Sequence, residues 1–152
     1  MKTPICIYHD DCHDGITALW VVDKALRGIE AYPGTYGEAP DLERLRGRDV
    51  YLVDFSYKRA ILESILNIAN SVLILDHHKT AEADLAGIEG PKCHCIFDMN
   101  KSGSLIAWEY FFPDSPAPPI VSYVSDRDLW RFALPGTREF HAACGLQPLT
   151  LE

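Results

Sequence analysis

Three short apolar runs along this chain each stop at residues that ligate hard cations. Ile5-Cys6-Ile7-Tyr8 runs into His9-Asp10-Asp11-Cys12-His13-Asp14-Gly15, Val50-Tyr51-Leu52-Val53 into Asp54, and Val72-Leu73-Ile74-Leu75 into Asp76-His77-His78. Short apolar runs bounded by polar punctuation read as strands buried on both faces. Between them the period changes. Ile16, Leu19, Trp20 and Val22 to Leu26 recur at helical spacing and stop at Gly28, and Ile61, Leu62, Ile65, Leu66, Ile68 and Ala69 mark an amphipathic helix within 57–70. Strands alternating with helices predict an α/β fold, a mainly parallel β-sheet flanked by helices on both faces. Weaker signals add a strand at Ala31-Tyr32, a strand over 93–97, a helix over 105–112 and a helix over 120–124 that leads into Ser125-Asp126-Arg127-Asp128.

In an open parallel sheet, ligands bind in the crevice at the C-terminal strand ends. His9, Asp11, Asp14, Asp54, Asp76, His77 and His78 should therefore converge there, with the 126–128 segment closing the cluster. Mixed carboxylates and imidazoles suit manganese, magnesium or iron. Two such ions about 3.5–4 Å apart stabilise the attacking and leaving oxygens of a phosphoryl displacement. Asp54, alone at the end of a central strand, is the natural carboxylate to share between two ions. Ser56 can cap the next helix, which leaves Asp54 free.

With 152 residues the chain has the length of one domain, 1–152. The stretch from Gly145 to Glu152 is weakly patterned, and one lobe of a longer protein is the open alternative. The net charge of −8 argues against non-specific coating of nucleic acid, which depends on neutralising many phosphates. Five cysteines, an odd number, without a signal-peptide pattern at the N-terminus argue for free thiols and a cytoplasmic location. No window approaches the roughly 18 apolar residues of a membrane span. Cys93-His94-Cys95 lacks the paired spacing of zinc ribbons, and Cys93 and Cys95 are expected on one strand face with His94 opposite.

Leu75-Asp76-His77-His78 resembles the signature of the DHH phosphoesterases, and His9 to Gly15, Val53-Asp54 and Asp126 follow the order of that family's other motifs. The resemblance covers roughly residues 5 to 130. It implies a dinuclear site, usually holding manganese, and hydrolysis of a phosphodiester or phosphoanhydride bond. Carried over by position, His9, Asp14, Asp54, His77 and Asp126 resemble metal ligands. Asp76 would orient an imidazole, and His78 would meet the phosphate or protonate the leaving oxygen.

Two departures stand out. The first motif usually carries two aspartates one residue apart, whereas this chain has Cys12-His13-Asp14 with Asp11 before it. Asp11 is the favoured replacement. Cys12 is the alternative, and its thiolate would draw softer metals such as zinc or iron. Nor does the sequence contain the glycine-rich histidine segment of the family's second, substrate-gripping domain. Arg127 and Arg131 are the candidate positive partners for phosphate. The helix opening at Lys101-Ser102-Gly103-Ser104 could cradle an anion or simply carry a serine cap. Trp130 and Phe132 read more readily as core than as a platform for a base. A phosphorylated small molecule or short oligonucleotide is the expected substrate, with no extended duplex and no membrane as partner. A non-catalytic nucleotide-binding or regulatory module is the alternative.

Overall fold

A computed structural model describes residues 2–145; the weakly patterned C-terminal stretch lies outside the described residues from position 146 on. The described chain runs β1 (Ile5–His9), α1 (His13–Leu26), β2 (Glu30–Gly34), α2 (Leu42–Leu45), β3 (Asp49–Val53), α3 (Arg59–Ile68), β4 (Ser71–Asp76), α4 (Lys79–Leu85), β5 (Cys93–Phe97), α5 (Gly103–Phe111), α6 (Pro119–Asp128) and α7 (Thr137–Cys144). All strand pairs are parallel and the sheet order is β2-β1-β3-β4-β5. The α/β fold expected from the apolar pattern is the one observed.

Alternate residues of each strand feed two separate cores. Ile5, Ile7, Val50, Leu52, Val72 and Ile74 face α2, α3 and α4 through Leu45, Leu62, Ile65 and Leu85. Cys6, Val53, Leu73 and Leu75 face the other layer through Leu19, Val22, Ile106 and Val121 of α1, α5 and α6. Burial on both faces explains why these strands read as continuous apolar runs. Cys93 is buried, His94 exposed and Cys95 half-buried, with the two sulfurs 3.9 Å apart on one face as expected.

The sheet changes direction of growth at β1: β2 lies on one side and β3 on the other. Crevices for ligands form at such switch points, beyond the C-terminal strand ends. Register then sets the depth. Tyr8 pairs with Val53 and Val53 with Leu75, so His9, Asp54 and Asp76 end their strands at one level. The chain leaves β3 by a left-handed step at Asp54, with φ 52°. Aspartate tolerates that region better than most residues, yet such positions cost about 1–3 kcal/mol and concentrate at functional sites.

The short helices α2 and α4 and the terminal α7 escaped the sequence pattern. α2 has four residues and α4 buries only Leu85, so neither shows a usable apolar stripe. The helix after β3 starts without help from Ser56. Its N-cap is Lys58, with no side-chain hydrogen bond.

α1 reaches the switch point because Gly15 lets it approach β1. A Cβ at this position would lie 2.2 Å from the His9 carbonyl oxygen. Gly15→Ala should therefore destabilise the fold by about 1–3 kcal/mol, the usual cost of overpacking. Urea unfolding checks this, with a midpoint equal to that of the parent chain as the contrary result.

Candidate metal centre

Asp54 sits at the middle of the crevice, almost fully buried. Its two oxygens face different groups. Oδ1 lies 3.1 Å from His77 Nε2; Oδ2 accepts a hydrogen bond from Cys12 Sγ at 3.4 Å and lies 3.6 Å from His9 Nδ1. Burial alone would raise this carboxyl, but hydrogen bonds from His77 and His9 hold it down to about 2.

Donor groups around it overlap in three sets, and Asp54 belongs to two of them: one with His9 and Cys12, the other with Asp76, His77 and His78. Ligand atoms of His9, Cys12 and Asp54 lie within 4.8 Å of one another, as do those of Asp14, His77 and Asp128. His77 Nε2 is also 4.0 Å from Asp14 Oδ2 and 3.5 Å from Asp128 Oδ2. So many acids packed together oppose their own ionisation. Burial, reinforced by Asp54 and Asp128, pushes Asp14 up to about 8. Burial and then Asp54 likewise raise Asp128. Against the lowering effect of its own burial, His77 is carried up to about 9 by its hydrogen bond to Asp54 and by the surrounding carboxylates. A cation placed among these groups would relieve the repulsion that a proton relieves here, so the donor chemistry fits divalent metal.

Asp14 has a second task. Its Oδ2 accepts from the Gly103 amide at 2.6 Å and its Oδ1 from the Ser104 amide at 3.0 Å. The anion cradled by the Lys101-Ser102-Gly103-Ser104 turn is thus the carboxylate of Asp14. Ser102 caps the same helix by accepting from Leu105 N. Each carboxylate oxygen has two lone pairs, so these bonds leave capacity for a cation.

Asp76 accepts from Ser56 Oγ at 2.6 Å, from His77 N at 2.7 Å and from His78 N at 3.3 Å, and its Oδ1 lies 2.6 Å from His78 Nδ1. Ser56 therefore serves Asp76 rather than a helix start, and the imidazole that Asp76 orients is that of His78. This contact is the main cause of the raised His78 pKa. Tyr36, which no motif singles out, stands edge-on to both His9 and His78.

Two expected ligands lie elsewhere. Asp126 is turned toward the segment before α7. It accepts from Ala133 N at 2.9 Å, Leu134 N at 3.1 Å and Thr137 Oγ1. Its neighbour Asp128 joins the cluster instead, because Val121, Val124 and Asp128 share one face of α6 at helical spacing and Asp126 does not. Asp11 is exposed on a left-handed turn, with φ 52°, and Cys12 takes the place beside His9. Cys12 was already the open alternative at the first motif; at the second position, helical spacing would have chosen Asp128 over Asp126. Arg127 lines the cleft beside Asp14 and Asp128. Arg131 donates to Asn100 O. Trp130 is 69% exposed, which corrects its reading as core.

No family model matches the chain. It is 37% identical, over 91% of its length, to a protein of Acanthamoeba polyphaga mimivirus named uncharacterized protein R106, and spans 36% of that relative. An uncharacterized Helicobacter pylori G27 protein of known structure has a similar fold, with a TM-score of 0.67 at 18% identity over 86% of this chain and 45% of that one. No helix among the described residues is long and apolar enough to cross a membrane.

Asp126 gives the site a control. Burial acts to raise its carboxyl, but the donors from Thr137, Ala133 and Leu134 outweigh it and hold the pKa below its ordinary value. A carboxyl depressed by folding stabilises the native state above its unfolded pKa, and that contribution fades as pH falls through the folded value. Asp126→Asn should flatten the acid limb of stability below about pH 4, while Asp128→Asn should not. Thermal melts from pH 2 to 7 check it; parallel limbs in Asp126→Asn and the parent chain would refute it.

Proposed function

We propose that this chain is a DHH-type phosphoesterase domain that uses two divalent cations, with manganese as the reading for the oxygen-rich position. The bond hydrolysed is a phosphodiester or phosphoanhydride, in a short oligonucleotide or small nucleotide. The observation that carries this reading is Asp54, with one oxygen beside His77 and the other beside Cys12 and His9.

Asp14, Asp128 and His77 would hold one ion, His9 and Cys12 the other, and Asp54 would be shared. When bound, the pair supplies Lewis acidity to the phosphoryl oxygens and lowers the pKa of water. The chain's own groups supply the rest. Asp76 fixes the His78 ring through Nδ1 and favours its protonated form, which suits proton donation to a leaving oxygen. Arg127, at the wall of the cleft, offers positive charge to a phosphate. The acidic cluster repels an anionic substrate until cations occupy it, so binding of phosphate and of metal are coupled.

The deciding experiment is hydrolysis of bis-p-nitrophenyl phosphate by metal-stripped protein, with and without added manganese. Turnover should require manganese and fall by more than about a hundredfold in Asp54→Ala. Two manganese ions bound per chain without turnover would favour the non-catalytic nucleotide-binding module, and no manganese binding at all would end the metal reading.

Cys12 makes the second position the softer one. Cys12→Asp should therefore weaken zinc relative to manganese by at least about tenfold in competitive metal titrations. An unchanged ratio would show that the sulfur does not ligate.

A further inference from the structure

The segment between α6 and α7 is held more tightly than a connection requires. Five successive amides, from Trp130 to Leu134, all donate back to the end of α6. Trp130 N reaches Arg127 O, Arg131 N and Phe132 N reach Asp126 O, and Ala133 N and Leu134 N take the Asp126 carboxylate. Within this segment Trp130 and Phe132 both adopt left-handed backbone, with φ 55° and 50°. Bulky side chains rarely occupy that region, and where surrounding bonds enforce it the position commonly serves a function. The result here is exposure. Trp130 is 69% exposed, the most of any large hydrophobic side chain among the described residues.

Its surroundings are cationic. The Arg127 guanidinium lies over the indole, 4.8 Å from the ring centroid, and that of Arg138 over the Phe132 ring at 4.0 Å. The two aromatic rings meet edge-on with centroids 5.0 Å apart. Arg131, between them in sequence, donates to Asn100 O and keeps its charge. Elsewhere Arg44, Arg46, Arg48 and Arg59 each pair with a glutamate. Among the described residues, Arg127, Arg131 and Arg138 form no such pair, in a chain whose net charge is −8. Aromatic rings interleaved with unpaired arginines are the elements that hold a single nucleic-acid strand, bases on the rings and phosphates on the cations. Arg127 also lines the cleft beside Asp14 and Asp128, so the indole stands one side chain away from the acidic cluster.

We infer that Trp130 is a stacking platform for an unpaired base of the substrate, at the lip of the cleft. The inference rests on the proposed function and deepens it: the substrate is a single-stranded oligonucleotide, and a nucleobase outside the reacting phosphate contributes to its selection. Stacking on an open ring accepts any base, since each has a π-face, so the platform selects for a base without reading its identity. The pinned backbone holds the ring in place before binding, which lowers the ordering cost of the contact.

The test compares a thymidine trinucleotide with a trinucleotide of the same backbone that carries no bases. Calorimetric titration with calcium in place of manganese reads both affinities without turnover. The trinucleotide with bases should bind at least about tenfold more tightly. That ratio should fall below about threefold in Trp130→Ala and stay above it in Trp130→Phe, which keeps a ring; circular dichroism checks that both fold. A residue that merely supported Arg127 would weaken both ligands alike and leave the ratio unchanged, which would overturn the platform. Equal affinity of the parent chain for the two ligands, or binding of neither, would overturn it as well. So would a dimer in analytical ultracentrifugation that Trp130→Ala dissociates, because a second copy would then cover the ring. Manganese-dependent turnover of the nitrophenyl diester decides separately whether the metal reading stands.

Discussion

The buried carboxylate of Asp14 on the amides of Gly103 and Ser104 joins parts of the chain that are about 90 residues apart in sequence. It ties the first turn of α1 to the first turn of α5 beside the acidic cluster. The contact is close enough to exclude any side chain at 103: a Cβ there would lie 2.5 Å from Asp54 Cβ and 2.8 Å from Asp54 Cα. A buried charge needs hydrogen bonds of this kind or a counter-ion. Asp14 has the hydrogen bonds from the fold. The residue that ties two helices together is therefore the residue whose own ionisation depends on its surroundings, on burial first and then on Asp54 and Asp128.

That dependence extends across the strand ends. Parallel register alone brings His9, Asp54 and Asp76 level, so nothing in the sheet prevents the acids from repelling one another. The structure distributes the burden unevenly. Asp54 is kept ionised by imidazoles, Asp76 is saturated by donors from Ser56, His77 and His78, and Asp14 and Asp128 are left poised toward protonation. Carboxyls pushed in opposite directions by their surroundings are characteristic of acid–base sites, and the proposed function draws on that contrast.

The sheet and the three strand-end motifs were legible because two-sided burial writes long apolar runs, and a run that stops at Asp54 or Asp76 stops visibly. The choice between neighbours was not legible from motif order. Asp126 and Asp128 differ only in helix phase, and phase becomes decisive once Val121 and Val124 are known to face the core. Asp11 and Cys12 differ by a backbone turn: the left-handed step at Asp11 throws its carboxylate outward and leaves the thiol beside Asp54. Composition rules favour a carboxylate in a hard-metal site and say nothing of backbone handedness. His13 and His141 escaped notice for another reason. They are brought together by α7, a helix with little apolar signal, so their pairing exists only in three dimensions.

The same helix explains why Asp126, turned away from the cluster, is buried so close to Asp128, which faces it. Asp126 gathers Ala133 N, Leu134 N and Thr137 Oγ1, and by doing so fixes where α7 begins. Fixing α7 places His141 opposite His13 and closes the cleft beside Asp14 and Asp128. Along α6, successive positions thus divide the work: Asp126 sets the wall, Arg127 lines it and Asp128 reaches into the cluster. A substitution at Asp126 would act on the site through the position of α7, without touching any group in the cleft. The order of the three residues on one helical turn ties the geometry of the cleft to that of the acidic cluster.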